Sequence, residues 1–175
     1  MRFLIPFPRL SLIGLTLLLS ACAGLPDRAT EGELQQRLGT PAMHWEAADG
    51  RLQLAYPTGP MGFATWMVWL GPDRRLEKLE NVLDTAHFAR IQPGQSQAEV
   101  LSILGPPIPS RTVYYEARDE LVWEWRYCDD WAEPARFHVL FDGRTKTVRS
   151  TLSLTESQSQ LFIQFREYCS RPRRP

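Results

Sequence analysis

The sequence predicts an α+β protein: a tandem repeat of a short helix (or helix pair) packed on a small antiparallel β-sheet. Two helix starts carry the same capping box, Thr30-x-x-Glu33 and Ser96-x-x-Glu99. In each, the hydroxyl accepts from an orphan amide of the first turn and the glutamate reaches back to the cap. Leu34 and Leu38 in one, and Val100, Leu101 and Leu104 in the other, supply apolar faces at helical spacing. Both helices are also stopped alike, by Gly39-Thr40-Pro41 and by Gly105-Pro106-Pro107. The glycine takes the backbone conformation that ends a helix, and the prolines forbid its continuation. Leu38 and Leu104 are 66 positions apart, as are the two caps. Finally, Tyr56 and Trp66 are separated by ten residues, as are Tyr127 and Phe137, so the strands after each helix keep the same spacing.

The chain opens with an address label, residues 1–21. Arg2 and Arg9 precede an apolar run from Leu10 to Leu19, broken only by Ser11, Gly14 and Thr16. That run is far shorter than the ~20 residues needed to span a bilayer, which favours a removable signal peptide. Leu19-Ser20-Ala21-Cys22 resembles the lipobox of bacterial lipoproteins. The resemblance implies cleavage before Cys22 and lipidation of that cysteine, and several acyl chains make a stable anchor. The alternative is ordinary secretory cleavage near Ala21 or Ala23, with Cys22 incidental. Ala23 follows the cysteine in place of the aspartate associated with inner-membrane retention. In a Gram-negative envelope this points to the outer membrane, facing the periplasm. Residues 22–29 are then a short tether.

The first unit is expected over 30–84. After its helix, Ala42 to Ala47 reads as a strand, and Asp49-Gly50 is a two-residue hairpin signal. Arg51 to Tyr56 alternates, with Leu52, Leu54 and Tyr56 on one face. Pro57 to Gly62 is a loop by its proline and glycine content. Ala64 to Leu70 aligns Trp66, Val68 and Leu70, and Arg75 to Glu80 completes the sheet. Part of Asn81 to Ile91 reads as an extra helix introducing the second unit, 85–155. There Arg111 to Ala117, Leu121 to Tyr127, Phe137 to Phe141 and Thr145 to Leu152 are the expected strands, with turns near Asp119 and at Asp142-Gly143. Residues 156–175 hold Leu161, Phe162, Phe165 and Tyr168 at amphipathic helical spacing, a strand being the alternative, and a basic tail.

Twenty basic residues balance twenty acidic ones, and losing the leader removes only two arginines. No strongly basic field exists to attract nucleic acid. Setting Cys22 aside leaves Cys128 and Cys169, an even pair in an oxidising compartment. A bridge between them would contribute roughly 2–4 kcal/mol; the alternative is two buried free thiols. His138 is the one imidazole near them, and no metal-ligand spacing such as Cys-x-x-Cys occurs, so no metal is expected.

A helix ending in Leu-Gly-x-Pro, a Trp/Tyr-rich strand and a strand ending Val-x-Phe-Asp-Gly resemble the SmpA/OmlA family of small outer-membrane lipoproteins. That family includes the BamE subunit of the β-barrel assembly machinery. The matching positions are Gly94, Ser96, Val100, Leu104, Gly105 and Pro107, then Trp123, Trp125 and Tyr127, then Val139, Phe141, Asp142 and Gly143. The resemblance covers the second unit well and the first more loosely. It implies helices on an antiparallel sheet and a scaffolding role without catalysis. The family's Gly-Met-Thr is Gly94-Gln95-Ser96 here, and the first copy has no glycine at that place. Family members usually carry one copy, whereas two tandem units resemble the architecture of the β-lactamase inhibitor protein. The matched positions are caps, turns and core, which specify fold more than function.

Neither a nucleophile elbow nor a phosphate loop is present, so no enzyme and no cofactor is expected. Asp129, Asp130 and Glu133 read as a solvated loop rather than a cation site. Of six tryptophans, Trp66, Trp123 and Trp125 share faces with other large apolar residues and are expected in the core. Trp69, opposite Trp66 on its strand, and Trp131, in the acidic loop, are the candidates for binding a partner. The leading expectation is a lipid-anchored periplasmic scaffold or accessory in envelope or outer-membrane protein assembly, attached to the membrane through Cys22 and bound to another envelope protein. The alternative is an inhibitor or modulator of an envelope enzyme. It would need exposed aromatics clustered on a sheet face away from the helices.

Overall fold

The computed structural model describes residues 25–59, 61–159, 169–170, 172 and 174–175. Cys22, the leader and the helix expected over 161–168 lie outside the described residues. The fold is α+β, with two four-stranded antiparallel sheets, each in simple sequential order. The first unit runs α1 (Glu31–Leu38), β1 (Met43–Glu46), β2 (Leu52–Pro57), β3 (Thr65–Leu70) and β4 (Leu76–Asn81). The second begins with the single turn α2 (Thr85–Phe88) and α3 (Gln97–Leu104). It continues through β5 (Val113–Tyr115), β6 (Glu120–Cys128), β7 (Pro134–Asp142) and β8 (Val148–Thr155), and the short α4 (Glu156–Ser159) follows.

Both capping boxes form. Glu33 N donates to Thr30 Oγ1 and Thr30 N to Glu33 Oε2; Ser96 and Glu99 repeat both bonds. Each cap is also tied to the start of the last strand of its own sheet, Thr30 to Arg75 and Ser96 to Thr147. The two units therefore share helix length, strand order and the anchoring of the helix to the sheet. Correspondence of register is looser: Tyr56 pairs directly with Trp66, but Tyr127 pairs with Ala135, and Phe137 pairs with Trp125.

One expected strand is much reduced. Arg111 to Ala117 keeps only three strand residues, between 3-10 turns at Pro109–Arg111 and Glu116–Arg118. The second turn ends with Asp119 in the left-handed region, which re-aims the chain into β6. Gly143 approaches this residue so closely that a Cβ would lie 1.9 Å from Asp119 Oδ1, and its N–H donates to the Asp119 carbonyl. The Asp142-Gly143 pair thus serves two turns at once.

Each sheet carries its own helix on one face, as expected, and the first sheet also uses its second face. α1 covers one face of the first sheet with Leu34, against Leu54, Tyr56, Trp66, Val68 and Leu70. The other face, with Ala55 and Met67 fully buried, packs into the core of the second unit. α3 lies in that joint. Its Val100 and Leu104 are buried with Trp123, Trp125, Phe137, Val139 and Phe141 of the second sheet. Its far side meets the first sheet, where Gln53 Nε2 donates to the Ser102 carbonyl at 2.6 Å. α2 adds Phe88, stacked on Phe137 at 4.0 Å and edge-on to Tyr127 at 4.7 Å.

Two glycines that look alike in sequence are therefore unequal. Gly39 (φ +80°, ψ −158°) and Gly105 (φ +72°, ψ −169°) occupy a backbone region essentially restricted to glycine. Around Gly39 a Cβ would meet nothing within 4 Å, whereas at Gly105 it would lie 2.8 Å from Thr65 Cγ2 and 3.3 Å from Ala55 Cβ. Gly39→Ala is expected to cost the backbone strain alone, about 1–3 kcal/mol. Gly105→Ala adds a steric conflict of about 1–3 kcal/mol. Urea unfolding of the two variants measures the difference; equal losses would contradict the close packing of α3 on the first sheet.

Candidate partner-binding site

Trp131 sits at the tip of the loop between β6 and β7, whose last ladder pair is Cys128 with Pro134. Five residues, Asp129 to Glu133, make the turn, and Asp129 organises them. Its Oδ1 accepts from the amides of Trp131 and Glu133, both at 2.8 Å. Its own N–H donates to the Glu133 carbonyl, and Ala132 N–H donates to the Asp129 carbonyl. Ala132 is left-handed, with φ of 60°. An aspartate followed by amides it can cap is the usual chemistry of such a turn.

The loop is fixed from outside as well. A disulfide joins Cys128 to Cys169, and Cys169 N–H donates to the Ala132 carbonyl at 3.0 Å. Held at base and shoulder, the loop presents the Trp131 side chain outward, 83% exposed. A cleft of about 360 Å³ lies at the base of the loop, with Asp84, Asp129, Asp130 and Tyr127 among its walls; Trp131 does not line it. The site is an exposed aromatic on a braced acidic loop.

The other tryptophans are placed differently. Trp66, Trp123 and Trp125 are buried, as their alternation predicts. Trp69 is half-buried on the face opposite Trp66. It is cross-paired with Gln53 and Lys78, and the Lys78 ammonium stands 4.9 Å from its ring centroid. Trp45 flanks the same Gln53 from β1. Trp69 therefore belongs to the rim of the joint between the sheets, and the structure does not bring it together with Trp131. Trp125 borders a cavity of about 370 Å³ at the end of that joint, walled by Pro57, Gly59, Leu83, Pro107 and Pro109. Its indole N–H has no partner among the described residues.

Ionisable groups gather on the outer face of the second sheet. Glu124 accepts from Arg136 at 2.7 Å and contacts His138 Nε2 at 3.1 Å, while Arg126 and Arg136 both reach Glu156 of α4. Burial pushes the Glu124 carboxyl up, but the hydrogen bond from His138 and the charge of Arg136 outweigh it and leave it below the usual range. Asp142 lies well below its ordinary value, because the Thr145 amide, the Arg149 guanidinium and the Arg144 amide all donate to it. These clusters tie β6, β7, β8 and α4 together. Among the described residues no group of three or more His, Cys, Asp or Glu could hold a metal ion. No helix among them is long and apolar enough to cross a membrane.

Sequence reasoning missed Val113, Tyr114 and Tyr115, exposed by 41%, 47% and 50% on β5, and Leu152, exposed by 47% on β8. The three-residue apolar run of β5 shows no alternation, and that was the available signal. Tyr114 bonds to Asp119 through its hydroxyl, which holds one of these rings in place.

Comparison with family models, with characterised proteins and with solved structures finds no match to this chain.

Proposed function

We propose that this protein is a lipid-anchored periplasmic scaffold or accessory of the outer membrane, similar to the SmpA/OmlA family, in envelope or outer-membrane protein assembly. It binds another envelope protein through Trp131. The observation that carries this reading is the outward-facing Trp131, on a loop tied at its base by a disulfide, in a chain whose other tryptophans are buried or half-buried. Large aromatics are frequent anchors at the centre of interfaces. Asp129 and Asp130, which precede it in the loop, suit a partner face with an apolar pocket and a basic rim. The Cys128–Cys169 bridge fits an oxidising compartment, and the lipobox-like Cys22 supplies the anchor.

The inhibitor alternative needs exposed aromatics clustered on a sheet face away from the helices. Trp66 lies in the core beneath α1, and Trp123 and Trp125 lie in the core shared with α3, so the tryptophan-rich faces are covered. Tyr114 and Tyr115 of β5 are the exposed sheet aromatics that an inhibitor would use.

Cross-linked pull-down of the full chain from detergent-solubilised membranes tests the proposal, with Trp131→Ala and Cys22→Ser as controls. Recovery of outer-membrane assembly subunits is expected to fall at least tenfold in Trp131→Ala, about 1.4 kcal/mol or more of binding free energy. It is also expected to fall in Cys22→Ser, while the thermal melt of Trp131→Ala stays unchanged. Recovery of one soluble envelope enzyme equally by all three forms would overturn the scaffold reading.

A further inference from the structure

We propose that the outer edge of β8, over Ser150–Leu154, accepts an extended segment of another polypeptide as a fifth strand of the second sheet. Five consecutive residues, Arg149 to Ser153, are exposed, although side chains of a strand alternate between two faces. The strand is thus exposed on both faces, and among the described residues no strand pairs with its outer edge. Its first residues are closed off: Gly94 N–H donates to the Val148 carbonyl and Val148 N–H to the Gln95 carbonyl, both at 2.8 Å. A shift in register against β7, between Leu140 and Phe141, follows at once. Beyond it, among the described residues, β7 is the one strand paired with Ser150–Leu154.

Sheet edges in stable proteins are commonly guarded by charge, proline, shortness or cover. β4 carries Glu77, Lys78 and Glu80; β1 has four residues and β5 three. The Ser-Thr-Leu-Ser-Leu run of β8 has neither charge nor proline. Leu152 and Leu154 stand on the outer face, opposite His138 and Arg136. Thr151 and Ser153 stand on the other, opposite Val139 and Phe137. An incoming strand with apolar residues at alternate positions would pair with the leucines on one face and with the hydroxyls on the other. Its backbone would take up the edge N–H and C=O groups.

Size selects this occupant over a second copy of the chain. Five paired residues bury far less than the roughly 800 Å² per partner that a stable dimer needs, whereas a single extended peptide relies mainly on backbone hydrogen bonds. The edge is separate from the Trp131 loop, so this inference stands or falls independently of it.

The test uses the full chain in detergent and a fluorescein-labelled peptide of about nine residues alternating valine and threonine. A second peptide of the same sequence is N-methylated throughout. The first peptide is expected to raise the anisotropy and slow hydrogen exchange at the amides of 150–154. The methylated peptide, which lacks donors, is expected not to bind. Leu152→Lys, at an exposed position, is expected to weaken binding at least tenfold with an unchanged melt; Ser150→Lys serves if that variant does not fold. Equal binding of the methylated peptide, no binding of either, or protection appearing elsewhere overturns the proposal. So does sedimentation showing that two copies close this edge on each other.

Discussion

Replacing Cys128 and Cys169 together by serine is expected to lower stability by about 4 kcal/mol and to release the Trp131 loop. The bridge closes a sequence separation of 41 residues. Loop-closure entropy for a ring of that length amounts to about 4 kcal/mol, removed from the unfolded chain when the bond is present. The native-state consequence is local. Without the bond, Cys169 N–H loses its tether to the Ala132 carbonyl, and the shoulder of the loop loses one of its supports beside Asp129. Equilibrium urea unfolding of the wild type, oxidised and reduced, and of the double variant measures the first effect. Quenching of Trp131 fluorescence in a Trp131-retaining background measures the second. A loss below about 1 kcal/mol would show that the bridge does not constrain the unfolded chain as its spacing predicts.

Trp125→Ala is expected to cost about 3–5 kcal/mol, within the range of the largest core truncations. Trp125 is 1% exposed and belongs to the core that both units share. It contacts Trp123 edge-on at 6.1 Å and also borders the 370 Å³ cavity. Truncation would join a new void to an existing one, where prolines and strand backbone leave little that can collapse. Trp125→Phe is expected to recover more than half of the loss. It keeps a ring in place and removes an indole N–H that has no partner among the described residues. Chemical unfolding followed by circular dichroism distinguishes the two. A Trp125→Ala loss under about 1 kcal/mol would mean that the two units are not held together through this residue.

Where local chemistry decides, the sequence determined the structure closely. Thr30 with Glu33 and Ser96 with Glu99 set both helix starts, because a capping box needs only residues three apart. Asp49-Gly50 and Asp142-Gly143 mark two turns, and alternation put Trp66, Trp123 and Trp125 inside. The first turn is longer than the two-residue hairpin expected, with Ala47 N–H donating to the Arg51 carbonyl and Gly50 rather than Asp49 taking positive φ. The repeat was legible for the same reason, since it consists of such local signals at a constant offset. Trp131 was legible as a candidate because it interrupts an acidic turn, but the bracing of its loop follows from the disulfide and from Asp129.

What tertiary structure alone decided is which surfaces meet. Leu34 and Val100 occupy equivalent places in their capped helices, yet α1 covers one outer face while α3 is enclosed between two sheets. The capping signals are the same, and the richer apolar content of α3 (Val100, Leu101, Ile103 and Leu104 against Leu34 and Leu38) permits its two-sided burial. Which surfaces meet, however, depends on contacts between residues far apart in the chain, such as Gln53 with Ser102 and Gly105 with Thr65. The same holds for β8. Its sequence makes a strand, but which part of its edge is covered, among the described residues, depends on the loop at Gly94–Ser96, which reaches Thr147 and Val148. Helix caps and turns are short-range and were written in the residues; burial, joint and open edge are long-range and arose when the two units packed.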